Sequence, residues 1–173
     1  MNTANKLTMA RIAMIPAFLG ILYAGIPDAN LWAMGIFILA SVTDFLDGYV
    51  ARHYNQITDF GKFMDPLADK MLVVAAFVWF VEIGQMGGWV LFLVLAREFA
   101  VSGLRMIAAD KGTVIAAGWS GKVKTAVTMI CIAVMLLPIS TQINTICVVA
   151  IVATTLYSGI EYFVQNKGAL SEM

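Results

Sequence analysis

Charged residues are scarce in this sequence. They make up 13% of the 173 residues, whereas about 25% is usual for a soluble domain. Hydrophobic residues make up 61%, and the mean hydropathy is +0.85. This composition excludes a water-soluble globular protein. Because one membrane span takes about 20 residues, the chain has room for six or seven spans and for no separate soluble domain. We therefore expect one membrane domain over residues 1–173.

The sequence also has only two cysteines and one histidine, and its net charge is zero. Cys131 and Cys147 lie in apolar stretches without metal-ligand spacing, so we expect two buried thiols and neither a disulfide framework nor a zinc site. The lone histidine, His53, is expected in a solvated loop. Lys plus Arg and Asp plus Glu number 11 each, which leaves a net charge of zero. Without a basic excess we expect no nucleic-acid partner.

Long uncharged stretches, in contrast, follow one another along the chain. They predict an all-α, polytopic membrane protein with six transmembrane helices. The predicted spans lie near residues 7–25, 30–52, 60–82, 88–109, 121–138 and 142–163. The last two come from one uncharged block, 125–160, which Pro138 divides. Short connections between spans predict that consecutive helices are antiparallel neighbours.

Basic residues gather at one set of predicted helix ends. The loops at 25–28, 84–88 and 138–142 contain no Lys or Arg, whereas 10 of the 11 basic residues lie at or near the opposite ends. Basic loops stay on the cytoplasmic side of a membrane. Both termini are therefore predicted to be cytoplasmic.

Four aspartates occupy positions where an ionised group is costly. Asp44 and Asp47 belong to the second predicted span, and Asp65 and Asp69 to the third. Spacings of three and four residues place each pair on one helix face. Four neighbouring carboxylates repel one another unless a cation neutralises them. Oxygen ligands favour Mg²⁺ or Mn²⁺, with Ca²⁺ as a competitor, and four acids suffice for a pair of ions.

Structural interpretations of the same residues stay open at this stage. Asp65 followed by Pro66 fits a helix N-cap and the first residue of a helix. Gly48 and Gly61 either leave room for a ligand or let two helices pack closely. Intramembrane acids also occur in small cation transporters. The crowding of all four acids at the predicted cytoplasmic end argues against an ion pathway.

Two runs of residues resemble the complete signature of the CDP-alcohol phosphatidyltransferases. The first run extends from Asp44 to Arg52, and the second begins eight residues later and extends from Gly61 to Asp69. All eight fixed positions of D-x-x-D-G-x-x-A-R-x8-G-x-x-x-D-x-x-x-D are present. The resemblance implies transfer of a phosphatidyl group from CDP-diacylglycerol to an alcohol, with release of CMP. It implies that the four aspartates hold two divalent ions and that Asp69 is also the general base.

The resemblance further implies a nucleotide site and a homodimer. The implied CDP-binding residues are Gly48, Ala51, Arg52 and Gly61. Thr8, at the start of the first span, is an additional candidate, although it could equally cap that helix. Arg52 taken alone would also fit the lipid headgroup layer.

The acceptor alcohol is not encoded in the shared signature. Residues 5–11 and 65–70, together with the Arg97-Glu98 pair, resemble bacterial members of the family that use glycerol 3-phosphate. A phosphate dianion needs cationic partners, and the candidates are Arg97, Arg105, Lys122 and Lys124. Arg97 would lie about 13 Å into the fourth span, where a lipid-facing guanidinium is penalised.

Alternatives to this acceptor site remain open. Arg97 could pair with Glu98 or Glu161, the two lysines could be topology signals, and the acceptor could be serine, inositol or a phospholipid. The predicted enzyme makes phosphatidylglycerophosphate in the bacterial inner membrane, with its active site facing the cytoplasm.

Overall fold

The computed structural model of the chain describes residues 3–53, 59–110 and 118–167. The side chains at 3–7, 44–53, 59–63, 65 and 66 lie outside this description. The described residues form helices and no strand. The six helices are α1 (Thr3–Tyr23), α2 (Ala29–His53), α3 (Asp59–Glu82), α4 (Gly88–Asp110), α5 (Trp119–Met135) and α6 (Thr141–Gln165).

All six predicted helices are confirmed. The largest difference is at the start of α1, which begins at Thr3 rather than at residue 7. Pro138 lies between α5 and α6, as predicted. Gly25 and Gly84, just beyond α1 and α3, have φ of +63° and +73°. Glycine adopts this left-handed conformation without a steric penalty, so both predicted turn signals lie where a helix ends.

The length and hydropathy of the helices single out α6. Within the described part of the chain, Thr141–Gln165 is long and apolar enough to cross a membrane. The apolar helical stretches Thr8–Tyr23 and Ala29–Thr43 are shorter.

One structural alternative for the signature acids is wrong. Asp65 does not cap α3, because that helix begins at Asp59 and Asp65 is its seventh residue. The six preceding residues are already helical, so the aspartate is needed neither to start the helix nor to satisfy its first amides.

The chain divides into two compact units, of which the first comprises residues 1–83 and 135–138. In this unit α1 packs against both α2 and α3. The α1 side chains that are buried recur at heptad spacing, and three of them, Ile15, Phe18 and Leu22, belong to an apolar core. The Phe18 ring centroid lies 6.3 Å from that of Phe37 on α2. Ala33, Ala40 and Ala76 are also buried, and small residues let helix backbones approach closely. The first helix is thus the common partner of the two helices that carry the signature.

A polar contact joins the ends of α1 and α3 in the same unit. The Tyr23 hydroxyl donates a hydrogen bond to Glu82 Oε2. The Tyr23 ring also meets the Trp79 ring edge-on, at a centroid distance of 5.2 Å. These contacts fix the end of α1 against α3, far along the helices from the signature.

The second unit comprises residues 84–134 and 139–173. Here α4 packs against α6, with Val101, Leu104 and Tyr162 in the core. Ser140 caps α6, since its Oγ accepts a hydrogen bond from the Ile143 amide at 3.5 Å. The Asn144 side chain donates to the Gln85 carbonyl at 2.6 Å, which joins the start of α6 to the loop before α4.

Candidate active site

The signature aspartates lie on α2 and α3, two helices of the first unit that contact each other. Asp44 and Asp47 are three residues apart on α2, and Asp65 and Asp69 are four apart on α3. The helical backbone therefore places each pair on one face, as predicted. The side chains of Asp44, Asp47 and Asp65 lie outside the described residues.

Asp69 is the signature acid whose side chain is described. It is half-buried and takes part in a polar interaction. Among the described side chains, no three His, Cys, Asp or Glu residues are grouped closely enough to hold a metal ion. The oxygen-only character of the signature acids still fits a hard divalent cation, so the metal prediction depends on the spacing of these residues.

Of the predicted nucleotide-binding residues, Thr8 is the one whose side chain is described. Gly48, Ala51, Arg52 and Gly61 lie on α2 and α3, and their side-chain surroundings are outside the described part. Thr8, in contrast, is described, and only 1% of its surface is exposed. Because Thr8 is the sixth residue of α1, it does not cap that helix.

Arg11 is a buried cation that the sequence reasoning missed. It was assigned only as a topology signal, but its side chain is fully buried in the first unit and engaged with a partner. A sequence signal for this burial was available, because Arg11 lies in a heptad pattern on α1. The residues of that pattern, all buried, are Thr8, Arg11, Ile15, Phe18 and Leu22. A guanidinium one helical turn from Thr8 is a further candidate for binding a phosphate of the nucleotide lipid.

Two of the four predicted acceptor cations meet in the second unit. Arg97 Nη1 lies 3.0 Å from Glu98 Oε1, and Lys124 Nζ lies 2.8 Å from the same oxygen. The exposed fractions of the three side chains are 13% for Arg97, 19% for Glu98 and 7% for Lys124. Two cations share one carboxylate, and we call these three side chains the basic cluster; among the described residues they sum to a formal charge of +1 in a largely buried place.

Two glycines make room for the Arg97 side chain. A Cβ on Gly159 of α6 would lie 3.3 Å from Arg97 Cγ, and a Cβ on Gly121 of α5 would lie 3.6 Å from Nη2. The side chain of Arg97 therefore passes close to both helices. Its Nε is buried and has no hydrogen-bond partner among the described residues. The pairing of Arg97 with Glu98 is the alternative that the structure shows, and it leaves the buried Nε donor unsatisfied among the described residues.

The other two cations have different surroundings. Arg105 Nε donates to the Tyr162 hydroxyl at 3.0 Å, and the guanidinium carbon lies 5.5 Å from the centre of that ring. The Lys122 side chain is exposed. Lys124 is 5% exposed and points into protein, so it is more than a topology signal in a loop.

Pairs of carboxylates at helical spacing in an apolar chain are typical of enzymes that use divalent cations to transfer phosphate-linked groups. A family model described as CDP-alcohol phosphatidyltransferase matches residues 1–157, and the chain belongs to that family. The predictions of the family and of an enzyme that uses a CDP-linked donor are confirmed.

Named bacterial relatives cover most of the chain. It is 41% identical to the CDP-diacylglycerol–glycerol-3-phosphate 3-phosphatidyltransferase of Bacillus subtilis (strain 168), over 98% of this chain and 97% of that protein. It is 39% identical to the probable phosphatidylglycerophosphate synthase of Mycobacterium tuberculosis (strain ATCC 25618 / H37Rv), over 93% and 79%. A Haemophilus influenzae protein with the same name as the B. subtilis relative is 38% identical, over 98% and 95%.

Proposed function

We propose that the chain transfers the phosphatidyl group of CDP-diacylglycerol to glycerol 3-phosphate, which gives phosphatidylglycerophosphate and CMP. The observation that carries the choice of acceptor is the basic cluster, in which Arg97 and Lys124 share the single carboxylate of Glu98. A buried excess of positive charge is costly without an anion. The phosphate of glycerol 3-phosphate supplies that anion, whereas serine and inositol have no phosphate. The names of the relatives support the same acceptor.

The donor is assigned to the first unit. Asp44, Asp47, Asp65 and Asp69 are proposed to hold two divalent cations, Mg²⁺ or Mn²⁺, because all four offer hard oxygen ligands. When bound, such ions neutralise the pyrophosphate and stabilise CMP as the leaving group. Gly48, Ala51, Arg52, Gly61 and Thr8 are proposed to bind the CDP moiety, with Arg11 as an additional phosphate ligand.

The proposed chemistry forms one phosphorus–oxygen bond and breaks another. The acceptor hydroxyl attacks the phosphorus that carries diacylglycerol, and the bond from that phosphorus to the bridging oxygen of CMP breaks. Asp69 takes the proton of the attacking hydroxyl, a role worth about 10²- to 10⁴-fold in rate. The basic cluster holds the distant phosphate of the acceptor and so orients its hydroxyl. Arg105 and Lys122 are proposed as outer cations that attract this anion.

The enzyme is proposed to be a single-domain protein of the bacterial inner membrane, with six spans, both termini in the cytoplasm and a cytoplasmic active site. The distribution of basic residues supports this orientation. Large exposed apolar side chains on the described helices support a lipid environment, since soluble monomers rarely expose contiguous apolar surface of this kind. Examples are Trp89, Phe92, Phe99 and Met106, each more than 60% exposed.

The proposed homodimer is supported by the pattern on α4. One stripe with heptad spacing combines large and small residues, of which all but the half-buried Gly103 are exposed: Trp89, Phe92, Ala96, Phe99, Gly103 and Met106. We call it the α4 stripe. Small residues at such spacing let two membrane helices approach closely. A second copy of α4 is therefore the proposed partner of this stripe.

An acceptor panel tests the function. The purified chain is incubated with CDP-diacylglycerol, Mg²⁺ and one acceptor at a time, and CMP release is measured. We expect release with glycerol 3-phosphate and none with glycerol, serine or inositol, because only the first acceptor fills the basic cluster. Equal turnover with glycerol would overturn the assignment of that cluster. Turnover with serine or inositol alone would move the chain to another acceptor class within the family.

A further inference from the structure

A cavity of about 350 Å³ lies beside α5 and α6 in the second unit, and none of the proposed active-site residues lines it. Trp119, Ser120 and Val123 contribute from the first turns of α5, and Tyr157 and Glu161 from the last turns of α6. The cavity combines one acid, two aromatic rings and three hydroxyls, those of Ser120, Thr154 and Tyr157. Neither the family signature nor the proposed reaction uses any of these groups.

The acid in this cavity has one unsatisfied oxygen. Glu161 Oε1 accepts a hydrogen bond from Gln165 Nε2 at 2.9 Å. Glu161 Oε2 is buried and has no hydrogen-bond partner among the described residues. A carboxylate oxygen removed from water is costly unless a cation or a hydrogen-bond donor meets it. Within the described part of the chain, no group donates a hydrogen bond to this oxygen, so a ligand that brings a donor would satisfy it.

The aromatic residues select the kind of cation. Trp119 and Tyr157 both line the cavity, and their side chains are 78% and 66% exposed, so the rings are open to a ligand from outside the bundle. Aromatic faces attract organic ammonium groups, whereas a bare metal ion needs several oxygen ligands. One carboxylate oxygen with two rings therefore fits an alkylammonium group better than a metal ion.

We propose that this cavity binds the head group of an aminophospholipid, with its primary ammonium at Glu161 Oε2. A primary ammonium has three N–H donors, whereas a trimethylammonium has none and would leave the buried oxygen without a hydrogen bond. The cavity continues along α6 from Glu161 to Ala153, about 12 Å at 1.5 Å per residue. Val123 and Ala153 are apolar at that far end, where Thr154 adds one hydroxyl. A mainly apolar far end matches a lipid with its head group at Glu161. The lipid source rests on the membrane placement proposed above, and the ammonium chemistry rests on the cavity.

Competition between two zwitterionic lipids tests this proposal. The chain is reconstituted in nanodiscs with equal amounts of phosphatidylethanolamine and phosphatidylcholine, and the lipids that remain bound after gentle release are counted by native mass spectrometry. We expect the native chain to retain phosphatidylethanolamine roughly tenfold over phosphatidylcholine. We expect Glu161→Gln to reduce this ratio to about one, because the amide removes the charge but keeps the shape and the hydrogen bond from Gln165.

The matched control is Glu82→Gln, an exposed acid in the first unit that accepts from Tyr23. It should retain the tenfold preference. An equal ratio in the native chain, or an undiminished preference in Glu161→Gln, would overturn the site. Displacement of the bound lipid by millimolar free ethanolamine would overturn the lipid as its ligand. CMP release in the same nanodiscs reports the proposed enzyme activity separately and shows that each variant is folded.

Discussion

At the scale of single residues, the second unit holds a carboxylate between two cations. Glu98 Oε1 is within 3.0 Å of both Arg97 and Lys124. Each cation is stabilised by the acid, yet the acid can neutralise only one of them. On the proposed function, a bound phosphate neutralises the second cation. Removing one cation from the cluster should therefore weaken binding of the acceptor.

Replacement of one cation tests this coupling. We expect Lys124→Gln to raise the KM for glycerol 3-phosphate by about 10- to 100-fold, the value of one charge-assisted hydrogen bond, with little change in the KM for CDP-diacylglycerol. Steady-state CMP release at varied concentrations of each substrate measures both constants. Lys167→Gln, an exposed lysine beyond α6, is the control and should behave as the native chain. Equal increases in both KM values would contradict an acceptor-specific role.

Individual residues also show where sequence reasoning stops. The four aspartates were predictable because carboxylates in an apolar chain are costly and because their spacing gives each pair one helix face. The shared pairing of Glu98 was not predictable, since it depends on how α5 is rotated against α4. The burial of Arg11 was not predictable from its position alone, because a basic residue near a helix end has the same sequence pattern whether it faces lipid headgroups or the interior of the protein.

At the scale of helices, apolar length and turn residues predicted nearly all of the architecture. Gly25, Gly84 and Pro138 mark ends that the structure confirms. The start of α3 was predicted to within one residue, at 60 against Asp59, and only the alternative that Asp65 and Pro66 begin the helix is wrong. Which helices contact one another could be predicted only from the short connections between them, and those do not define which face of α4 packs against α6.

The α4 stripe leads to a prediction about assembly. A Cβ at Gly103 would meet no atom of the chain within 4 Å, so Gly103→Leu should leave the monomer folded while placing a bulky side chain in the proposed dimer contact. We expect the dissociation constant of the variant dimer to be at least about tenfold higher than that of the native dimer. Fluorescence energy transfer between labelled chains in detergent, measured against dilution, gives this value.

Gly35→Leu is the matched control, because a Cβ at Gly35 of α2 also meets no atom of the chain within 4 Å. It should dimerise as the native chain does. If both substitutions weaken the dimer equally, or neither does, the α4 stripe is not the interface.

At the scale of the whole molecule, the orientation in the membrane is the main prediction. Single cysteines are introduced at Ile26, Thr141 and Lys167 in a chain that lacks Cys131 and Cys147, and intact cells are treated with a membrane-impermeant maleimide. We expect Ile26→Cys and Thr141→Cys to be labelled from outside, and Lys167→Cys only after the membrane is opened, because basic ends remain cytoplasmic. The reverse pattern would place the active site on the outer face.

The packing of the first unit has a consequence for how such enzymes are detected and redesigned. The fixed positions of the signature lie on α2 and α3, and both helices pack against α1. The buried face of α1 continues from the apolar core to Thr8 and Arg11. A search for the signature therefore tests residues of α2 and α3 but none of the α1 residues that pack against them. If the signature were transplanted into another pair of helices, its residues would be present without the first helix that holds α2 and α3 in place.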